Sequence, residues 1–398
     1  MRLALVSALI LAGAGLRFGN MSNVTARTPD ERVYTAFANV WNASGEAGLR
    51  TVTANYLASA DAKLYPPPTR VGMVRLVAFA IRAAGHNDES AGAWVSCFAS
   101  IASLMALAWI GMRFLPLPVA LAALLFFVVF PGELILARRT WADAPAELFV
   151  LLVILCGCEI LSSSPNYWLH AAFGICGAVG IAIKETVLIP YVLFAVCVAG
   201  ALYLKDRVLT YPVRFCALAA IIPALGVVWL GYEAGGLSSF ITVMAGIPEA
   251  NAHNAYAVEY TSGPPYLLLY AFWIVSPALS ALGALGMAVA FTRRGNLVFL
   301  MALLVSAFLA IGMSVPHWIN LRYAAFLFGP VCLLAGLGVW WLATLPALRR
   351  VPATGLIACF SIALIAVAVG DYLRFERYFV RDGAPDLSIG FLLREKGR

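Results

Sequence analysis

The chain has 398 residues, 62% hydrophobic and 12% charged, with a formal net charge of +7 and a mean hydropathy of +0.88. A soluble domain is roughly 45–50% apolar and about 25% charged, so this composition excludes a water-soluble enzyme and implies an integral membrane protein. The basic excess calls for no nucleic acid, because Lys and Arg collect in the inner connections of membrane proteins.

Apolar runs fall near 3–18, 91–112, 116–131, 144–161, 167–183, 187–204, 211–232, 265–290, 297–314, 322–345 and 353–370. Each approaches the ~20 residues that a bilayer-spanning helix needs. They predict an all-α, polytopic fold of about eleven transmembrane helices. Arg2 precedes the first run and no small-residue cleavage site follows it, so it is expected to remain as an anchored helix. With a cytoplasmic N-terminus, short alternate connections hold Arg113, the Lys205/Arg207/Arg214 group, Arg293 with Arg294, and Arg349 with Arg350. That is the positive-inside pattern.

The segment 70–84, RVGMVRLVAFAIRAA, would reverse every later helix if it crossed. Arg75 and Arg82 lie seven apart on one face, against Val, Leu and Phe on the other, so it is expected to lie at the interface without spanning. The long connections 19–90 and 233–264 and the tail 371–398 then share the outer side. The expected organisation is a membrane domain over 1–370, with its first outer loop at 19–90, and a short outer-face tail over 371–398.

The eight cysteines all fall inside apolar runs and read as small packing residues, offering no disulfide framework to the outer loops. P-loop, GxGxxG, HExxH and GxSxG motifs are missing, which excludes a Rossmann-type nucleotide-sugar enzyme and transport driven by ATP hydrolysis within this chain.

Polar residues of the outer face come from five separate segments. In TPDERVYTAF, Thr28 and Glu31 have capping-box spacing, with Pro29 at the first helical position. Val33, Phe37, Val40 and Trp41 predict a short amphipathic helix ending near 42–45. Asp30 and Glu31 are either a helix start or a pair facing a reaction. In ARRTWADAPAELF, Asp143 is an N-cap or a site acid, while Arg138 and Arg139 snorkel to headgroups or hold a phosphate.

Lys184 and Glu185 form a local ion pair or part of a site. His317 and Arg322 lie at another outer junction, with Trp318 and Tyr323 as belt residues. The loop 233–264 adds Glu249, His253 and Glu259. An apolar bundle needs none of these charges for stability, and their meeting at one face suits an anionic lipid headgroup and a reaction that needs a base.

PDERVY (29–34), KLYPPPT (63–69), ARRTWADAPAELF, AIKETVLIP and NLRYAAFLFGP (320–330), in this order and loop placement, resemble the GT-C membrane glycosyltransferases. The nearest group is the dolichyl-phosphate-mannose protein mannosyltransferase and aminoarabinose lipid A transferase type. The resemblance implies an inverting transfer of a hexose or pentose from a polyprenyl-phosphate carrier to an acceptor hydroxyl on lipid, glycan or protein.

It implies Asp30 as general base, Glu31 as its support or a cap, and Asp143 as the second-loop acid. Arg138, Arg139, Lys184 and Arg322 would clamp the donor phosphate, and Tyr34, Tyr65 and His253 would border the sugar or acceptor. The segment before the prolines carries no metal ligand, so no metal site is assigned; His253 is the one outer-loop donor that a divalent ion would find. Short loops and compact length point to a bacterial inner membrane with the site on the periplasmic face. The alternative is a lipid transporter or flippase, which expects ionisable residues deep in the membrane and inverted repeats; no repeat is visible in this sequence.

Overall fold

The computed structural model describes residues 2–19, 21, 23, 27–163, 166–293, 297–350 and 352–394. The chain is built of helices, and among the described residues the one β pairing is an isolated antiparallel bridge between Asn320 and Ser388. Helix α1 (Arg2–Phe18) leads into two loop helices, α2 (Pro29–Ala58) and α3 (Val71–Ala84). Next come α4 (Glu89–Phe114) and α5 (Leu117–Val129), the short α6 (Pro131–Leu136), and α7 (Asp143–Ser162). After α8 (Tyr167–Ile183), α9 (Leu188–Asp206) and α10 (Thr210–Glu233), the second long connection folds as α11 (Leu237–His253) and α12 (Ala255–Tyr260). The remaining elements are α13 (Leu267–Val275), α14 (Pro277–Thr292), α15 (Leu297–Ser314), α16 (Phe328–Ala343), α17 (Ala353–Phe375) and α18 (Ile389–Arg394).

All eleven apolar runs fold as helix, the run 265–290 being broken into α13 and α14 at Ser276–Pro277. Seven helical stretches among the described residues are long and apolar enough to cross a membrane. Helix α16 is the centre of the bundle, packed against α14, α5 and α15, whereas the α17 stretch is only 11% buried. Small residues set the central packing, as membrane helices require when lipid competes for apolar side chains. A Cβ on Gly286 would overlap the Leu334 carbonyl, and one on Gly338 the Leu282 carbonyl, so α14 and α16 touch backbone to backbone.

Helix α3 has 14 residues, about 21 Å of helix against a hydrocarbon core of about 30 Å. Its first end is tied by Arg70 to Glu185, and residues 85–88 then deliver α4, whose Glu89 carbonyl accepts the Thr140 hydroxyl. Both ends of α3 therefore open on the same end of the bundle, as expected for a helix that does not cross.

Helix α2 departs from expectation. It does not stop near 42–45 but kinks at Gly45 (φ 58°, ψ −140°) and continues helical to Ala58. A glycine there reads as a stop, yet the left-handed φ only bends the chain. Before the kink α2 buries Glu31, Tyr34, Thr35 and Ala38, with Val33, Phe37, Val40 and Trp41 half-buried beside them.

At the other end of the bundle, Arg113 lies 3.4 Å from Glu159, Lys205 donates to the Leu161 carbonyl at 3.3 Å, and Arg214 donates to the Tyr167 hydroxyl at 2.8 Å. Several expected inner basic residues thus gather at one end, opposite the acid-rich one. Arg294, the side chains of Asp206, Arg349 and Arg350, and tail residues 395–398 lie outside the described residues.

Candidate active site

Four of the expected site residues meet. Asp30 is the second residue of α2, Asp143 opens α7, Lys184 ends α8, and Arg322 follows the junction after α15. The Arg322 guanidinium joins both acids: Nη2 lies 2.5 Å from Asp30 Oδ2 and Nε lies 3.0 Å from Asp143 Oδ2. Lys184 Nζ takes the other Asp143 oxygen at 2.5 Å. Two acids from distant segments sharing one guanidinium must lie at the same end of the bundle.

Local structure explains each placement. Asp143 is not the N-cap of α7; Ala142 holds that position, and both Asp143 oxygens turn to cations. Lys184 has extended backbone (φ −154°, ψ 119°), which ends α8 and lets the side chain turn inward. Nor do Lys184 and Glu185 pair with each other. Glu185 forms a two-bond pair with Arg70, at 2.5 and 2.8 Å, and Arg70 also donates to the Tyr34 hydroxyl at 2.7 Å. Arg322 stacks 4.4 Å above the Trp141 ring, and Lys184 Nζ stands 5.4 Å over Tyr323.

Burial divides the cluster. The side chains of Asp143 and Lys184 are 1% and 3% exposed, whereas Asp30 is 24% exposed. Burial pushes the Lys184 ammonium below the usual lysine range; Asp143 pulls it back up, and Arg70 and Arg322 add to the fall. Burial also pushes the Tyr34 and Tyr56 phenols up to about 12, so both stay protonated at neutral pH.

Glu31 lies apart from this cluster. Its buried carboxylate accepts the Thr28 amide at 2.7 Å, Arg27 at 2.9 Å, the Thr140 amide at 3.0 Å and Arg139 at 3.1 Å. It completes the expected capping box and also ties α2 to the segment before α7. Arg139 is its partner. Arg138 donates to the carbonyls of Leu134, Leu16 and Gly19 at 2.7, 2.6 and 3.0 Å, fastening α1 to α6. Neither arginine snorkels: both are buried, Arg138 bonded to carbonyls and Arg139 to Glu31 within the protein.

Tyr65 is exposed and no bond to the cluster defines its place, while the exposed His253 ring lies 2.9 Å from the Glu249 carbonyl of its own helix. A groove of about 370 Å³ opens between α2 and α11, lined in part by Tyr56, Leu57, Lys63, Ile241 and Glu249. Its walls are mainly apolar, with one cation and one anion among them.

Sequence reasoning missed Arg70 and Trp141, which alone look like an interfacial basic residue and a belt aromatic. It also missed Glu147, buried one turn beyond Asp143, which accepts the Gly329 amide at 3.3 Å. Nearby, buried Arg17 donates to Ser100 at 2.5 Å and to the Phe127 carbonyl at 3.1 Å, and Ser100 bonds to Glu133. Charges therefore do enter the bundle interior, where they bond to one another and to helix-end carbonyls.

No protein-family model matches the chain, and no curated protein matches it. Solved structures do match. ArnT from Cupriavidus metallidurans bound to undecaprenyl phosphate superposes with a TM-score of 0.63 at 13% identity, over 99% of this chain and 77% of that one. The oligosaccharyltransferase AglB from Archaeoglobus fulgidus, in complex with an inhibitory peptide and a dolichol-phosphate, gives 0.57 at 12% identity, over 94% of this chain and 55% of that one. This integral membrane protein therefore has the fold that ArnT and AglB share, the one expected from its resemblance to the GT-C glycosyltransferases.

Proposed function

We propose that the chain is an inverting glycosyltransferase that moves a sugar from a polyprenyl-phosphate carrier to an acceptor hydroxyl. The observation that carries this reading is the convergence of Asp30, Asp143, Lys184 and Arg322, with Asp30 alone among the two acids open to solvent. In the reaction the acceptor oxygen attacks the anomeric carbon as Asp30 takes its proton. The bond from that carbon to the phosphate oxygen breaks, and the lipid phosphate leaves with the electron pair. Arg322 and Lys184 face the charge that develops there. Asp143 holds both cations in place, and the Arg70–Glu185 pair with Tyr34 supports the wall beside them.

Arg322 is bound to Asp30. A phosphate that takes the guanidinium frees the Asp30 carboxylate, so donor binding and exposure of the base are one event. Glu31, Arg139 and Arg138 shape the site without touching the reactants, and Tyr65 and His253 have no step assigned. The basic far end supports an orientation with the site on the outer, periplasmic face of a bacterial inner membrane.

Binding of undecaprenyl phosphate to the detergent-solubilised protein tests the clamp. Arg322→Ala is expected to weaken it about 10- to 100-fold, as a lost charge-assisted bond does. Unchanged affinity would remove Arg322 from the donor site.

A further inference from the structure

The backbone leading into Arg322 is held from both sides. Ile319 N–H donates to the Thr261 carbonyl at 3.0 Å, at the end of α12, and the Thr261 hydroxyl donates to the His317 carbonyl at 2.7 Å. From the opposite side, Leu321 N–H donates to the Leu387 carbonyl at 3.2 Å and Ile389 N–H donates to the Ile319 carbonyl at 3.1 Å. Residues 319–321 thus form the middle of a three-part strip, with the second outer loop on one edge and the C-terminal segment on the other.

One carboxylate ties the strip together. Asp386, 4% exposed, accepts the Tyr256 hydroxyl of α12 and the Asn320 amide, the latter at 3.1 Å, on one oxygen. Its other oxygen accepts Ser388 N–H at 2.8 Å. Asn320 in turn accepts Arg322 N–H at 3.0 Å. Two side-chain bonds therefore separate Asp386 from the Arg322 backbone. Burial and the Asp386 charge raise the Tyr256 phenol above its ordinary range, keeping it a donor.

We propose that the C-terminal segment around 384–392 is a strap that seats Arg322, and that Asp386 is its positioning residue, linking the α12 loop to the donor site. This deepens the glycosyltransferase reading and rests on it for its consequence in lipid-phosphate binding. The arrangement also connects the two halves of the outer face. A change in the α12 loop reaches Arg322 through Tyr256, Asp386 and Asn320, so a molecule resting on that loop would tune the donor site without touching it.

The test uses the full-length protein, with amide hydrogen exchange over 319–322 and 387–389 and with undecaprenyl phosphate as probe. In Asp386→Asn one oxygen is replaced by a donor, and the amide exchange of Ile319, Leu321, Arg322 and Ile389 is expected to rise at least about tenfold. Undecaprenyl phosphate binding should weaken about tenfold in parallel. Tyr256→Phe, which removes one hydroxyl, should move both readouts the same way by less, and the double variant should be no worse than Asp386→Asn. Faster exchange with unchanged binding would overturn the strap, as would weaker binding with unchanged exchange. Should the wild-type protein fail to bind undecaprenyl phosphate, the functional reading falls. The Arg322 amide then decides the strap alone: faster exchange in Asp386→Asn upholds it, and unchanged exchange sinks it.

Discussion

Consecutive residues on a helix point about 100° apart, so Asp30 and Glu31 cannot share one environment. Asp30 faces the half-open cluster and Glu31 faces the buried seam against Arg139 and Thr140. The sequence alone leaves a helix start and a catalytic pair as competing readings; in the fold Glu31 completes the helix start and Asp30 joins the charged cluster. Glu31→Gln leaves Arg139 buried beside a neutral amide, and removing one partner of a buried pair costs about 3–5 kcal/mol. The expected outcome is a lower unfolding temperature in detergent, with undecaprenyl phosphate affinity kept in the protein that remains folded. A loss of affinity at unchanged stability would place Glu31 in the donor site instead. Asp30, Asp143, Lys184 and Arg322 are legible because charges are costly beside a bilayer and each stands at a helix end. Arg70 and Asp386 are not, because their meaning lies in partners 115 and 66 residues away, Glu185 and Asn320.

Among the elements, apolar runs announce themselves by composition, and every one of the eleven is helical. The kink at Gly45 and the return of α2 to Ala58 are hidden because a helix resumes after the left-handed residue only when tertiary contacts hold it. The α14–α16 contact is hidden for a related reason: a glycine in an apolar run shows neither its neighbour nor its distance. Gly286→Leu should separate these helices and destabilise the fold by about 3 kcal/mol or more, read as a lower unfolding temperature. Gly200→Leu, where a Cβ meets open space, is the control expected to leave it unchanged. Equal effects of the two would deny the close packing of α14 on α16.

For the whole molecule, the two ends of the bundle differ in kind. One gathers Arg113, Lys205 and Arg214; the other brings the ends of α1, α2, α3, α4, α7 and α8 and the segment before α16 to a single charged floor. The bundle stacks apolar helices so that residues 30, 143, 184 and 322 meet, and the strap from 384–392 closes the floor behind them. The order of segments and the gathering of acids at one face follow from hydropathy. The contacts that set Arg322 are long-range, and no local pattern encodes them.

The most direct test of the base assignment is sugar transfer by Asp30→Asn, read by mass spectrometry of the envelope glycans lost from a deletion strain. The wild-type chain should restore them. Asp30→Asn should fall about 10²- to 10⁴-fold short, the span general-base catalysis supplies, while binding undecaprenyl phosphate at least as tightly as the wild-type protein, because Arg322 no longer pairs with a carboxylate there. Restoration by Asp30→Asn at the wild-type rate would contradict the role of Asp30 and with it the proposed reaction at this site.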